Sequence, residues 1–171
     1  LMEYESSLEK VRDHLQTAVN QEELNYLELR FDVFNFLENL MDMYQEFLDL
    51  TTFRRKDLIT FVHLLNVTIL SMFISSKIGF SKDDIIDIGI ASLFHDIGKF
   101  YISKKIIQKT GKLDEKEFAI VKHHTILSAE LLFRYTETLG FLPVVVAFEH
   151  HLKYDVKGYP KVAFPQKLHP A

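Results

Sequence analysis

Residues 113–140 read LDEKEFAIVKHHTILSAELLFRYTETLG, the stretch with the clearest helix-start signal. Asp114 and Glu117 stand three apart at its head, the spacing at which each side chain accepts the other's otherwise free backbone N–H. Leu113 and Phe118 flank them at hydrophobic-staple positions. No Gly or Pro interrupts the run before Gly140. A helix is therefore predicted from Asp114 to about Leu139, with Gly140 as its stop.

The neighbouring segments read the same way. Upstream, an almost wholly apolar helix is predicted from about Lys56 through Lys77, closed by Gly79 and central in the fold. Ser81, with Asp83 and Asp84 behind it, opens another, since a short polar cap and early carboxylates suit a helix N-terminus. That helix carries Ile85, Ile86, Ile88, Ile90, Leu93 and Phe94 and is predicted to end near Gly98, where a lysine-rich connection from Phe100 to Lys112 begins. Downstream, Pro143 occupies a first-turn position of a last helix reaching about His151. Beyond Leu152, Gly158, Pro160, Pro165 and Pro170 predict loops. In the first 50 residues Leu24, Leu27, Phe31, Phe34, Leu37, Met41, Tyr44 and Leu48 recur at spacings of three and four, which predicts one helical stripe packed on the rest of the domain. The alternative for this acidic segment is a helical linker or homodimerisation element. With no alternating strand pattern and no repeat, the fold class is all-α.

Composition limits the chemistry. The 171 residues are 47% hydrophobic and 26% charged, enough apolar material for a core. There is no Cys, so disulfides, thiolate metal sites and cysteine nucleophiles are excluded, and any metal must be held by His and carboxylate. Residues 1–94 carry 8 basic and 16 acidic side chains and residues 95–171 carry 12 and 8, so a net −8 precedes a net +4. Ile97 to Lys112 holds Lys99, Lys104, Lys105, Lys109 and Lys112 without an acidic residue, which suits an anionic ligand. Leu58 to Ile74 lacks formal charge but is short for a bilayer and contains His63 and Asn66, so a buried helix is preferred to a span. With no basic–apolar leader visible, a cytoplasmic protein is expected.

Five of the eight His lie between positions 95 and 151: His95, His123, His124, His150 and His151. A lone histidine on an apolar helix, as His63 is, reads first as a core residue. Pairs on three helices of a bundle read differently, because side chains from facing helices are how a helical core builds a metal site. Imidazole and carboxylate ligands suit iron, manganese, zinc, nickel or cobalt. Asp96, beside His95, has two oxygens with which to bridge two ions. Such a pair ~3.5–4 Å apart clamps the attacking and leaving oxygens of a phosphoryl displacement. Lys99 is placed to meet phosphate charge.

His95-Asp96-Ile97-Gly98-Lys99 resembles the signature of the HD phosphohydrolase superfamily. Glu149-His150-His151-Leu152-Lys153-Tyr154-Asp155-Val156-Lys157-Gly158-Tyr159-Pro160 resembles the second signature of its HD-GYP branch. Gln108-Lys109-Thr110-Gly111-Lys112-Leu113, Glu117 and His124 match between them in order and spacing. The resemblance covers about Asp57 to Ala171 and implies a helical bundle of HD-domain type with a dinuclear metal site in its core. It implies a metal-dependent phosphodiesterase that hydrolyses a cyclic dinucleotide, cyclic di-GMP first, by attack of a metal-bridged hydroxide. Two divalent ions, iron or manganese, would be ligated by His63, His95, Asp96, His124, His150 and His151, with His123 a neighbour. Asp96 and Lys99 would be catalytic; Lys99, Tyr159 and Pro160 would meet the substrate. Neither a nucleic acid polymer nor membrane insertion is expected.

Against the family pattern, Val156 replaces a glycine, Asn66 an arginine and Ser128 a glycine. Ile59 stands where members with a third metal carry glutamate, which favours two ions. The family's further aspartate ligand, in an Ala-Asp-containing helix, is not reached by Ala171, so the domain is expected to be incomplete at that end. The expected organisation is an N-terminal helical segment, 1–50, and an HD-GYP-type phosphohydrolase domain, 51–171. The competing reading, motivated by Val156 and Asn66, is a cyclic-nucleotide-binding signalling module with weak or no turnover. Another HD hydrolase, acting on deoxynucleotides or guanosine alarmones, is disfavoured by Gly158-Tyr159-Pro160.

Overall fold

The computed structural model describes residues 2–42, 59–153, 155 and 157–161. Among them the regular elements are helices, with a single bridge between Leu152 and Gly158. The chain divides into two compact units, residues 1–93 and 94–171.

The first unit contains α1 (Met2–Val19), α2 (Tyr26–Asp42), α3 (Ile59–Ile78) and α4 (Lys82–Phe94), the last ending at the unit boundary. The single N-terminal helix expected from the apolar spacing is two helices. Gln21 turns the chain with φ 61°, and Asn25 starts α2 by accepting the Glu28 N–H while donating to the Glu28 carboxylate. The buried face of α2 also differs from the predicted stripe. Leu29, Asp32, Val33, Phe36 and Leu37 are buried, whereas Leu27, Phe31 and Phe34 are exposed. The cause is Asp32, a carboxylate on the inward face: Lys10 and His14 of α1 reach it, His14 Nε2 at 2.9 Å. A buried carboxylate is tolerated when so paired. Arg30 joins α2 to α4 through Asp83 and Asp87, each at 2.7 Å.

Helix α3 packs on α1 and α2, and its polar groups are satisfied locally: Thr68 Oγ1 donates to the Leu64 carbonyl and Ser75 Oγ to the Ser71 carbonyl, both at 2.8 Å. It is less enclosed than its apolar sequence predicts, since Leu70, Ile74 and Ile78 remain exposed. By length and composition alone Thr60–Ile78 would suffice to cross a membrane. The predicted beginning of this helix near Lys56 and the stripe residues Tyr44 and Leu48 lie outside the described residues.

In the second unit the helix predicted to continue to Gly98 instead stops at Phe94. His95 and Asp96 form a turn, and Ile97–Tyr101 is a 3-10 helix. The lysine-rich connection contains α5 (Lys104–Ile107). The stretch from Asp114 to Gly140 begins with the expected capping box but is three helices, α6 (Glu115–Lys122), α7 (His124–Phe133) and α8 (Thr136–Leu139). Helix α9 (Leu142–Glu149) has Pro143 in its first turn. Helix α7 is the axis of this unit, packed by the 3-10 helix on one side and α9 on another.

A candidate metal centre

Three segments of the second unit contribute to one cluster. His95 and Asp96 come from the turn after Phe94, His124 from the first position of α7, and His150 and His151 from the end of α9. Asp96 and His124 are buried, His150 and His151 partly so. Ligand atoms of Asp96, His124, His150 and His151 all lie within 4.8 Å of one another. Asp96 works with both oxygens: Oδ1 is 3.0 Å from His124 Nε2 and 3.5 Å from His150 Nε2, and Oδ2 is 3.2 Å from His95 Nε2 and bonded to the Lys99 ammonium.

The tautomers follow from the backbone. His124 Nδ1 lies 2.6 Å from the Val121 carbonyl and His150 Nδ1 lies 2.9 Å from the Ala147 carbonyl. A carbonyl only accepts, so both Nδ1 atoms carry the proton and both Nε2 atoms present lone pairs. Those lone pairs face each other across 3.2 Å, beside a carboxylate. Two acceptors and an anion at such range call for a proton or a metal cation between them, and imidazoles oriented by their outer nitrogens are what a metal ligand set requires. Burial favours the neutral ring at His150 and His151, the form that binds metal: desolvation lowers the His150 pKa, and desolvation, then the repulsion of a protonated His150, brings His151 down to about 4. The residues present therefore fit a divalent ion of the imidazole–carboxylate class.

Two local devices hold this arrangement. The 3-10 helix lies flat against α7 because Gly98 has no side chain; an added Cβ would stand 2.3 Å from the His124 carbonyl oxygen. There the Gly98 N–H donates to Ser128 Oγ at 2.7 Å. At the other end the chain folds back on itself, the Lys153 N–H donating to the Lys157 carbonyl at 2.7 Å. Gly158 adopts φ 132° with its α-carbon too near the His151 carbonyl for any Cβ, and this lays Tyr159 on His151, rings stacked 4.4 Å apart at 28°. Burial, then the nearby Asp96 charge, raises the Tyr159 pKa, so it remains a neutral phenol. Pro160 is buried behind it.

Of the residues expected at the site, His95, Asp96, Lys99, His124, His150, His151 and Tyr159 gather in the second unit. His63 belongs to the first unit, on α3, and is exposed. His123 is exposed between α6 and α7 and stands outside the cluster. Val156 lies outside the described residues. Ser128, a departure from the family pattern, accepts the Gly98 N–H, a bond that no local sequence signal marks.

The HD domain family matches residues 60–166. The chain is 31% identical over 158 residues to a cyclic di-GMP phosphodiesterase of Thermotoga maritima, covering 92% of this chain and 40% of that protein. It is 31% identical over 113 residues to a cyclic di-GMP phosphodiesterase of Pseudomonas aeruginosa, covering 66% and 27%. To a 3'3'-cGAMP-specific phosphodiesterase of Vibrio cholerae it is 34% identical over 101 residues, covering 59% and 19%. The chain thus spans less than half the length of these curated relatives, and no solved structure matches it. With the HD domain matching residues 60–166 and cyclic di-GMP phosphodiesterases among its relatives, the chain belongs to the HD domain family and to its HD-GYP branch.

Proposed function

We propose that this chain provides the catalytic site of a metal-dependent phosphodiesterase acting on a cyclic dinucleotide, with cyclic di-GMP as substrate. The observation that carries this reading is the convergence of Asp96 with His124, His150 and His151, whose ligand atoms lie within 4.8 Å of one another. In this reading the ligands are His63, His95, Asp96, His124, His150 and His151, and two ions of the iron or manganese class are held. The assignment of His63 rests on the sequence resemblance. When bound, the ions supply Lewis acidity and the means of activating water for phosphodiester hydrolysis.

The chain's own groups do the rest. Asp96 offers one oxygen to each side of the cluster, and neutral imidazoles around it leave that carboxylate as the one anion of the cluster, so that with divalent ions bound net positive charge would remain for the phosphate. Lys99, held beside Asp96, meets a phosphate oxygen with its ammonium and stabilises charge that accumulates during attack. Tyr159 fixes the plane of His151 and, with Pro160, forms the wall against which the substrate is oriented. Hydrolysis adds water across one P–O bond, and the proton ends on the released ribose oxygen. Residues 51–171 form the phosphohydrolase domain; residues 1–50 are an N-terminal helical segment that serves for packing, as a linker or for dimerisation. A cytoplasmic reaction is the reading that this substrate class supports.

The test is anaerobic purification with ferrous or manganous ion, metal analysis, and incubation with cyclic di-GMP followed by separation of products. Linear dinucleotide or GMP is the expected product, and its formation is lost in Asp96→Ala. The second reading, a binding module with little turnover, is favoured by the sequence departures at Asn66 and Val156. Metal-loaded protein that binds the nucleotide and returns it intact decides for it.

A further inference from the structure

The ring system of the metal centre does not end at Tyr159. Phe118, on α6, meets Tyr159 edge to face with centroids 6.3 Å apart. Tyr159 in turn stacks on His151 and lies 6.1 Å from His124. A continuous run of rings therefore leads outward from the ligands to Phe118, which is 45% exposed. As a hydrophobic-staple residue Phe118 would be expected to bury its ring against Leu113; instead nearly half of it faces solvent. Over that ring stands the Lys122 ammonium, 4.8 Å from the centroid. The nearest carboxylate on the same helix, Glu117, is already engaged by Lys109 and by the Asp114 N–H. Among the described residues Lys122 has no carboxylate partner. An exposed aromatic face and an uncompensated cation thus stand side by side at the edge of a site built for phosphate.

We infer that Phe118 and Lys122 form a second substrate subsite, in which Phe118 stacks one nucleobase of a cyclic dinucleotide and Lys122 meets the phosphate that is not being cleaved. This inference rests on the phosphodiesterase reading above and deepens it. A cyclic dinucleotide has two bases and two phosphates, each base separated from its phosphate by one sugar. With one phosphate at the cluster, the remaining parts must lie against its rim, where flat π surface and positive charge are what they can use. Stacking tolerates any base, so this subsite selects a nucleotide over a bare phosphodiester and leaves the identity of the base to other contacts.

The chain contains no Trp, so Phe118→Trp introduces a sole indole at the subsite. Metal-loaded wild type is measured first, for binding and hydrolysis of cyclic di-GMP. Phe118→Trp is then titrated with cyclic di-GMP and, separately, with inorganic phosphate. The expected result is saturable quenching by the dinucleotide and none by phosphate. Phe118→Ala and Phe118→Leu should raise KM by at least about five-fold, with metal content unchanged and kcat much less affected, while Phe118→Trp retains a KM near wild type. Lys122→Ala should raise KM in the same sense and flatten its dependence on salt. The Leu variant keeps the site apolar without a π face and serves if Phe118→Ala fails to fold. An unchanged KM in both variants, a fall in kcat alone, or an indole blind to the dinucleotide while wild type binds it, overturns the subsite. Failure of wild type to bind or hydrolyse the nucleotide sinks the phosphodiesterase reading itself and the subsite with it.

Discussion

Gly98 and Ser128 show how closely a single atom governs this site. The contacts that exclude a Cβ at Gly98 are the His124 carbonyl oxygen at 2.3 Å, the Ser128 amide nitrogen at 2.7 Å and Ser128 Oγ at 2.8 Å. None belongs to a long side chain that could swing aside, so relief requires the 3-10 helix to lift from α7, taking Asp96 and Lys99 with it. Gly98→Ala should therefore destabilise the protein by roughly 3 kcal/mol, at the upper end of ordinary overpacking, and lower its metal content. Ser128→Ala leaves the backbone where it is but strands the buried Gly98 N–H, at about 1–2 kcal/mol. Urea unfolding followed by circular dichroism measures both, and metal analysis separates them. A Gly98→Ala protein of normal stability and full metal content would mean that this close approach does not hold the ligands. Residue identity made part of this legible: the His-Asp-x-Gly-Lys run marks Gly98 as special. Its partner lies 30 positions away on another helix, and nothing local to Ser128 announces it.

At the scale of elements, beginnings were easier to read than breaks. The Asp114–Glu117 box is present with both bonds at 2.8 Å, and Glu117's pKa is lowered chiefly by Lys109. Asp114→Ala removes the cap and should cost about 1 kcal/mol with metal content intact, read as a small fall in Tm at unchanged metal stoichiometry. The interruption at His123 carries no Gly or Pro and its residue keeps helical angles, φ −66° and ψ −16°. What replaces the helix there is side-chain bonding to the carbonyls: His124 Nδ1 takes Val121 and Thr125 Oγ1 takes Lys122. The bond that orients a ligand thus stands where the long helix ends, a tertiary demand invisible to periodicity. The same limit explains α2, whose inward face was misread because it carries Asp32. Periodicity treats every charge as outward, whereas Lys10 and His14 made this one tolerable inside.

For the molecule as a whole, a metal held by the cluster would make folding and metal binding one equilibrium. Without a cation the second unit must hold neutral imidazole lone pairs against one another and against a buried carboxylate for which Lys99 provides the chief positive charge. With a cation the same groups become mutually supporting, so metal binds the folded chain far better than the unfolded one and shifts Tm by mass action. At a free metal concentration about 100 times Kd the added stability is about 2.7 kcal/mol, which for a chain of this size corresponds to roughly 5–10 °C. Chelator-treated protein should therefore melt several degrees below protein supplied with manganous ion, monitored by helical circular dichroism because the chain has no Trp. His95→Ala and Asp96→Ala should abolish the metal-dependent rise while keeping their helical content. In Asp96→Ala the metal-free protein should be no less stable than metal-free wild type, since the mutation removes the buried anion that the empty cluster has to accommodate. A metal-dependent rise that survives in Asp96→Ala would place the cation somewhere other than among these histidines.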